Sequence, residues 1–282
     1  MMNPFQKFVS ESAKVFKNGK KLPSGLKRKS RPFTSRKTVD ALIFSPHPDD
    51  ECIVGGLPLR LLRATKWKVT NIAVTLGSKK ERRKPRLREL KKACDFLGFH
   101  LSVADFEKIN LETRKKKPAQ WRASVKIISK ILVAQRPRVI FLPHESDGHP
   151  AHVGTHFLVL DALKILPKNF QCFVVETEFW GQMKNPNLLV ESDAEDVGDL
   201  VVALACHVGE VRRNPFHARL PSWMIDNVRR GAEIVGGAGT SSPDFTFGTI
   251  YHLQKWRGRK LQKVFNGGKF LSAKKNPAAL FR

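Results

Sequence analysis

The chain has 282 residues, 41% of them hydrophobic and 27% charged, which is enough apolar matter for a proper core and excludes disorder along most of its length. Lys and Arg number 51 against 25 Asp and Glu, a net charge of +26. No apolar run approaches the roughly 20 residues that cross a bilayer, so no transmembrane helix is expected. The first 40 residues lack an apolar h-region and a small-residue cleavage site, so no Sec signal peptide is expected either. Cys52, Cys94, Cys172 and Cys206 lie far apart without a C-x-x-C pair, which argues against a disulfide framework and a cysteine-rich zinc module. A soluble protein of the reducing cytoplasm is expected.

The charge is concentrated at the ends. Residues 1–40 hold 11 basic and 2 acidic side chains, and residues 254–282 hold 9 basic and none acidic. The flanks thus carry +18, whereas 41–253 carries +8. This division predicts a basic N-terminal extension over 1–39, one folded domain over 40–253 and a basic C-terminal tail over 254–282. Such arms suit weak contact with a polyanion or an anionic membrane, although their ordinary role is that of solvated ends. Phe5, Phe8, Val9 and Phe16 fall near helical spacing, predicting an amphipathic helix that docks on the body in preference to a membrane surface.

From residue 41 onward, short β-rich runs alternate with helical patterns, the signature of a parallel sheet with crossover helices. Strands are predicted at Ala41 to Phe44, Val69 to Leu76, Val139 to Leu142 and Phe170 to Val175. Helices are predicted from Arg86 to Leu97, with Gly98 as C-cap, and from Ser124 to Ala134. The later part of 149–166 also reads as helix. Beyond 176, Glu195 to Val211 reads as helix and Thr246 to Leu253 as a closing strand. Between these two the stretch from Gly231 to Gly248, rich in Gly and Ser, suits a mobile loop over a site. The fold class is therefore α/β, Rossmann-like, with a mostly parallel sheet, helices on both faces and a single domain. There is no internal repeat and no Walker A, G-x-S-x-G or H-E-x-x-H motif.

The chemistry concentrates after two of these strands. Ser45-Pro46-His47-Pro48-Asp49-Asp50-Glu51 follows the first, where the prolines stiffen the turn, and Asp147-Gly148-His149-Pro150-Ala151-His152 follows the strand at 139. In open α/β sheets both places lie at the ligand-binding edge. One His or Asp at a turn is ordinarily a cap or a surface residue. His-x-x-Asp after one strand and His-x-x-His after another is a different matter, because catalytic zinc needs three protein ligands and an open position.

These motifs, with Gly55-Gly56 and with Arg86-x-x-Glu89-Leu90 running to Leu97-Gly98, resemble the PIG-L/LmbE family of zinc-dependent N-acetylglucosaminyl deacetylases over residues 40–165. The resemblance implies Zn²⁺ on His47, Asp50 and His152, with Fe²⁺ accepted by the same donor types. It also implies Asp49 as general base, His149 as oxyanion donor, and an N-acetylglucosamine-type conjugate as substrate, split into acetate and a free amine. Arg86 matches the family's substrate-contacting arginine, and His207 falls where relatives carry a histidine near the site. The family usually has Asp where this chain has Ala151, so a protonated His149 requires Asp147 to supply the charge, and Asp147 is grouped with Arg86 and His207 as substrate-binding.

Other residues admit plainer roles. His152 and His156 could share a helix face as a rival ligand pair. His144 reads as a strand-end histidine and Cys52 as a buried small hydrophobe. Trp180, His217, Arg219 and Trp223 suit a sugar cleft, with core packing the ordinary role of the two tryptophans. Two alternatives to the deacetylase remain: a polyanion- or membrane-surface-binding protein on a degenerate deacetylase fold, and a zinc amidase acting on another amide.

Overall fold

A computed structural model describes residues 2–26 and 40–282. In chain order the elements are α1 (Pro4–Gly19), β1 (Ala41–Ser45), α2 (Asp50–Ile53), α3 (Gly56–Thr65), β2 (Val69–Ala73), α4 (Lys80–Leu97), β3 (His100–Val103), α5 (Leu111–Lys116), α6 (Pro118–Gln135) and β4 (Val139–Pro143). There follow α7 (Pro150–Lys164), β5 (Cys172–Thr177), β6 (Leu188–Ser192), α8 (Ala194–Ala205), α9 (Val208–Arg213), α10 (Phe216–Gly236), β7 (Phe247–Arg257), β8 (Lys260–Lys263), β9 (Lys269–Leu271) and a 3₁₀ turn (Pro277–Phe281).

All five residues of β1 are buried, as in a strand covered on both faces. The period of two divides them: Ala41 and Ile43 join the core beneath α3, α4 and α8, while Leu42 and Phe44 join the core beneath α6 and α7. β4 repeats the division, Val139 and Phe141 on one side and Ile140 and Leu142 on the other. The sheet runs β3-β2-β1-β4-β5-β7-β6-β9, with β8 on β7. Strands β3 to β5 along that order are parallel, and β7 enters antiparallel between β5 and β6. This is the α/β architecture expected, in one domain.

From β1 the chain moves outward through β2 to β3 and then returns to β4 on the other side of β1. The loops leaving the carboxyl ends of β1 and β4 therefore diverge around a crevice, the switch point at which open α/β sheets hold ligands.

Several boundaries differ from the expectation. Helix α4 starts at Lys80 and carries Pro85 inside it, and Gly98 caps it at φ 82°. The helix expected over 195–211 is broken at His207 (φ −81°, ψ 63°) into α8 and α9. The stretch from 231 to 248 is not one loop: α10 runs through Gly236, an irregular and mostly exposed segment covers 237–246, β7 starts at Phe247, and none of these residues lines the cavity beside His47 and His149. A Cβ on Gly231 would stand 2.9 Å from Leu189 Cδ2.

The C-terminal tail expected from residue 254 is instead part of the body. Trp256, Leu271, Leu280 and Phe281 are buried, and the Phe281 ring lies 5.7 Å from that of Trp67. The buried Arg60 guanidinium donates to the carbonyls of Ser272, Ala273 and Lys275 at 2.9, 3.2 and 2.8 Å. Average charge concealed this, since the lysines of β8 stay exposed while apolar partners elsewhere in the segment turn inward. At the other end α1 forms as an amphipathic helix. Residues 27–39, the rest of the expected basic extension, lie outside the described residues. Among the described residues no helix is long and apolar enough to cross a membrane.

Candidate active site

The loop after β1 is held by its own polar groups. Thr75 Oγ1 donates to the Pro46 carbonyl at 2.8 Å, and Asp50 Oδ2 accepts the His47 amide at 2.7 Å. Asp49 adopts φ 113°, a left-handed conformation that a non-glycine residue keeps only when its surroundings enforce it. The enforcement comes from below. Glu51 Oε2 accepts the Asp49 amide at 2.9 Å, while Glu51 Oε1 pairs with His207 Nε2 at 2.8 Å and accepts the Cys52 thiol at 3.2 Å.

Helix α7 brings the second half. The ligating atoms of His47, His149 and His152 all lie within 4.8 Å of one another. His152 Nε2 stands 3.5 Å from Asp50 Oδ1, and both atoms are buried without a hydrogen-bond partner. Two ligands at about 2.0–2.1 Å from one tetrahedral ion stand about 3.3 Å apart, so the orphaned pair has the separation a shared zinc would impose. Burial pushes the Asp50 carboxyl up to about 6 despite the nearby His152, as expected where a buried carboxylate lacks a full counter-charge. Burial, then the charge of His152, holds the His47 ring well below its ordinary value, hence neutral and able to ligate. The donor set of imidazoles and a carboxylate thus fits Zn²⁺.

Asp147 does not sit where the sequence placed it. Its side chain is fully buried behind the site, with Oδ1 3.0 Å from His152 Nδ1 and Oδ2 accepting the amides of Phe179 and Trp180 at 3.1 and 3.3 Å. It faces the His152 ring, and no close contact to His149 accompanies it. Burial, followed by His152, lowers the His149 pKa, with Asp147 opposing only as the smallest of these influences. The tautomer of His149 is set differently. Its Nδ1 accepts the Ala151 amide at 3.2 Å, so the neutral ring carries its proton on Nε2 and stays a donor without a carboxylate at 151.

His47, Asp49 and His149 open on a cavity of about 480 Å³ that also has Arg86, Trp180 and Phe216 in its wall, while Asp50 and His152 are not among its lining. Burial first, and Asp50 next, push the Asp49 carboxyl well above the usual carboxylate range, with Arg86 opposing. Arg86 donates to the Pro48 carbonyl at 3.2 Å and lies 3.6 Å from Glu210 Oε1. Trp180 is 53% exposed and stacks on His149 with ring centroids 6.1 Å apart. Trp223 is packed against Phe179, in the core role.

Other candidates fall elsewhere. His207 is buried beneath the loop and does not line the cavity. His156 turns its Nδ1 to the Pro143 carbonyl at 3.0 Å and to Glu176, which removes the rival pair. His144 bonds the Gly181 carbonyl at 2.9 Å, a structural role. His217 and Arg219 lie near the end of α1 and do not line the cavity. Glu210 and Arg213 of α9 and Phe179 also line the wall, and no motif in the sequence marks them.

A mostly parallel α/β sheet with a cluster of imidazoles and carboxylates at its switch point has the layout in which open α/β folds hold a ligand. Residues 42–163 match the family model described as PIG-L: GlcNAc-PI de-N-acetylase. Among curated proteins none matches the chain in sequence. Solved structures share the fold at low identity. The conserved protein TT1542 from Thermus thermophilus is 18% identical, with a TM-score of 0.57, over 76% of this chain and 94% of that one. The N,N'-diacetylchitobiose deacetylase from Pyrococcus horikoshii is 16% identical, with a TM-score of 0.55, over 90% and 93%. GalB, a 4-carboxy-2-hydroxymuconate hydratase from Pseudomonas putida, is 13% identical, with a TM-score of 0.57, over 77% and 96%.

Proposed function

We propose that the protein hydrolyses the N-acetyl group of an N-acetylglucosamine-type conjugate, with Zn²⁺ held by His47, Asp50 and His152. The observation that carries this is the buried, unpartnered pair of Asp50 Oδ1 and His152 Nε2, 3.5 Å apart beside His47 and Asp49. Bound there, zinc would polarise the acetyl carbonyl and make water acidic enough to attack near neutral pH.

The remaining work belongs to the protein. Asp49, at the cavity wall with a raised pKa, takes the proton of the attacking water and returns it to the departing amine. His149 Nε2–H donates to the oxygen that gains charge, from the tautomer the Ala151 amide holds. Asp147 fixes the rotation of His152. Arg86 meets polar groups of the substrate, and the exposed face of Trp180 offers a stacking surface for a sugar ring. Water adds across the amide, so one acetate and one amine leave for each bond cut.

The test is acetate release from N-acetylglucosamine conjugates and from unrelated acetylated amines, using metal-analysed protein. The reading expects zinc-dependent release from the sugar conjugates. Release only from the unrelated amines would make the protein an amidase of another class, and no release by zinc-loaded protein would reject the hydrolytic reading.

A further inference from the structure

Helix α1 is presented in an unusual way for a water-exposed element. None of its residues is buried, and Phe5, Phe8 and Val9 are 81%, 70% and 64% exposed. On a helical wheel these three, with Phe16, form one apolar face, and Lys7 and Lys14 lie on the opposite one. The helix is nonetheless built to stand: Asn3 and Gln6 cap it reciprocally, and Pro4 opens it. Its far end rests on α10, where the Arg219 guanidinium lies 4.7 Å from the Phe16 ring and Gly19 meets Ala218. The docking on the body expected from sequence therefore engages only this end, and the phenylalanines at the start are left uncovered.

We propose that α1 lies in the surface of an anionic bilayer, with Phe5, Phe8 and Val9 immersed and its lysines among the headgroups. Charge selects this occupant. Between residues 2 and 26 five lysines stand against Glu11 alone, on a chain of net charge +26, so a second copy would be repelled. A polyanion such as nucleic acid would engage the lysines and leave the aromatic face in water. An anionic bilayer satisfies both faces at once. At the end of α1 a cleft of about 450 Å³ continues the basic character, with Lys20, Arg212 and Arg213 in its wall and no acidic residue. Arg213, paired with Glu210 at 2.5 Å, also lines the catalytic cavity, so a protein seated this way holds that cavity's rim beside the cleft and the membrane. The proposal does not rest on the deacetylase reading.

The test is co-sedimentation of the full chain with vesicles of phosphatidylcholine alone and of phosphatidylcholine mixed equally with phosphatidylglycerol. The wild type should bind the mixed vesicles, weaken as salt rises, and leave the neutral ones. The double variant Phe5→Asp, Phe8→Asp should lose about tenfold or more of that binding while keeping its melting temperature, since neither side chain is packed. Equal binding by the variant would reduce the contact to electrostatics and overturn the proposal. So would wild-type binding to heparin or RNA without vesicle binding, or a wild-type dimer that the variant separates.

Discussion

Replacing Asp147 by Asn tests how the second half of the site is held. The carboxylate stands between two sets of groups: Oδ2 accepts the Phe179 and Trp180 amides at 3.1 and 3.3 Å, and Oδ1 faces His152 Nδ1 at 3.0 Å. An asparagine has one acceptor oxygen and one donor nitrogen. If the oxygen keeps the two amides, the NH₂ group faces Nδ1 and drives the imidazole proton onto Nε2, the atom aimed at Asp50. If the side chain turns over, NH₂ meets two amide donors in a buried place. Either arrangement weakens His152 as a ligand. Loss of an outer-shell partner typically lowers metal affinity 10–100-fold, about 1.4–2.7 kcal/mol. The assay is zinc titration against a chromogenic chelator, with the melting curve of the metal-free protein as a control for folding. Unchanged zinc affinity in a normally folded Asp147→Asn protein would refute this role.

Other substitutions probe neighbouring parts of the account. Since the Ala151 amide sets the tautomer of His149, Ala151→Asp should leave kcat within a few-fold, whereas His149→Ala should keep zinc and lose about 10²–10³ in kcat, read by single-turnover acetate release. His207→Leu strands the Glu51 carboxylate without its partner and should cost about 3–5 kcal/mol in urea unfolding. Burial pushes Glu51 up, but His207 and the hydrogen bonds outweigh it, so its folded pKa lies below the ordinary 4.5. The stability it contributes is present above that value and lost as pH falls through the folded pKa, so the gap between wild type and His207→Leu should narrow in acid. Removing residues 277–282 takes away buried Leu280 and Phe281 and should lower stability by about 3–6 kcal/mol, at roughly 1.5–3 kcal/mol for each side chain. Removal of a solvated tail would leave the melting curve unchanged.

What the sequence made legible was local. Ala41 to Ser45 and Val139 to Pro143 announce themselves because fully buried parallel strands are continuous apolar runs, and the motifs following them are contiguous. Two such motifs at adjoining strand ends must converge, which is why His47, Asp49, Asp50, His149 and His152 can be placed together from the chain alone. The placement of Asp147 was not legible. Whether its carboxylate turns to His149 or His152 depends on the amides of Phe179 and Trp180, some thirty residues on. His207 was read as near the site, and it is, but beneath it, since its partner Glu51 faces down from the loop. The C-terminal strands were hidden because β8 and β9 are three or four residues long and their lysines dominate any average. Helix α10 was obscured by Pro221 inside it and by the glycines at its end, which packing against Leu189 accommodates.

The most direct measurement is an anomalous difference map at the zinc edge from crystals of the zinc-loaded protein. The account predicts one strong peak coordinated by His47, Asp50 and His152, with Asp147 against His152 Nδ1 and His149 Nε2 free of the metal. A peak coordinated by His149 in place of Asp50, or zinc bound only elsewhere in the chain, would contradict it.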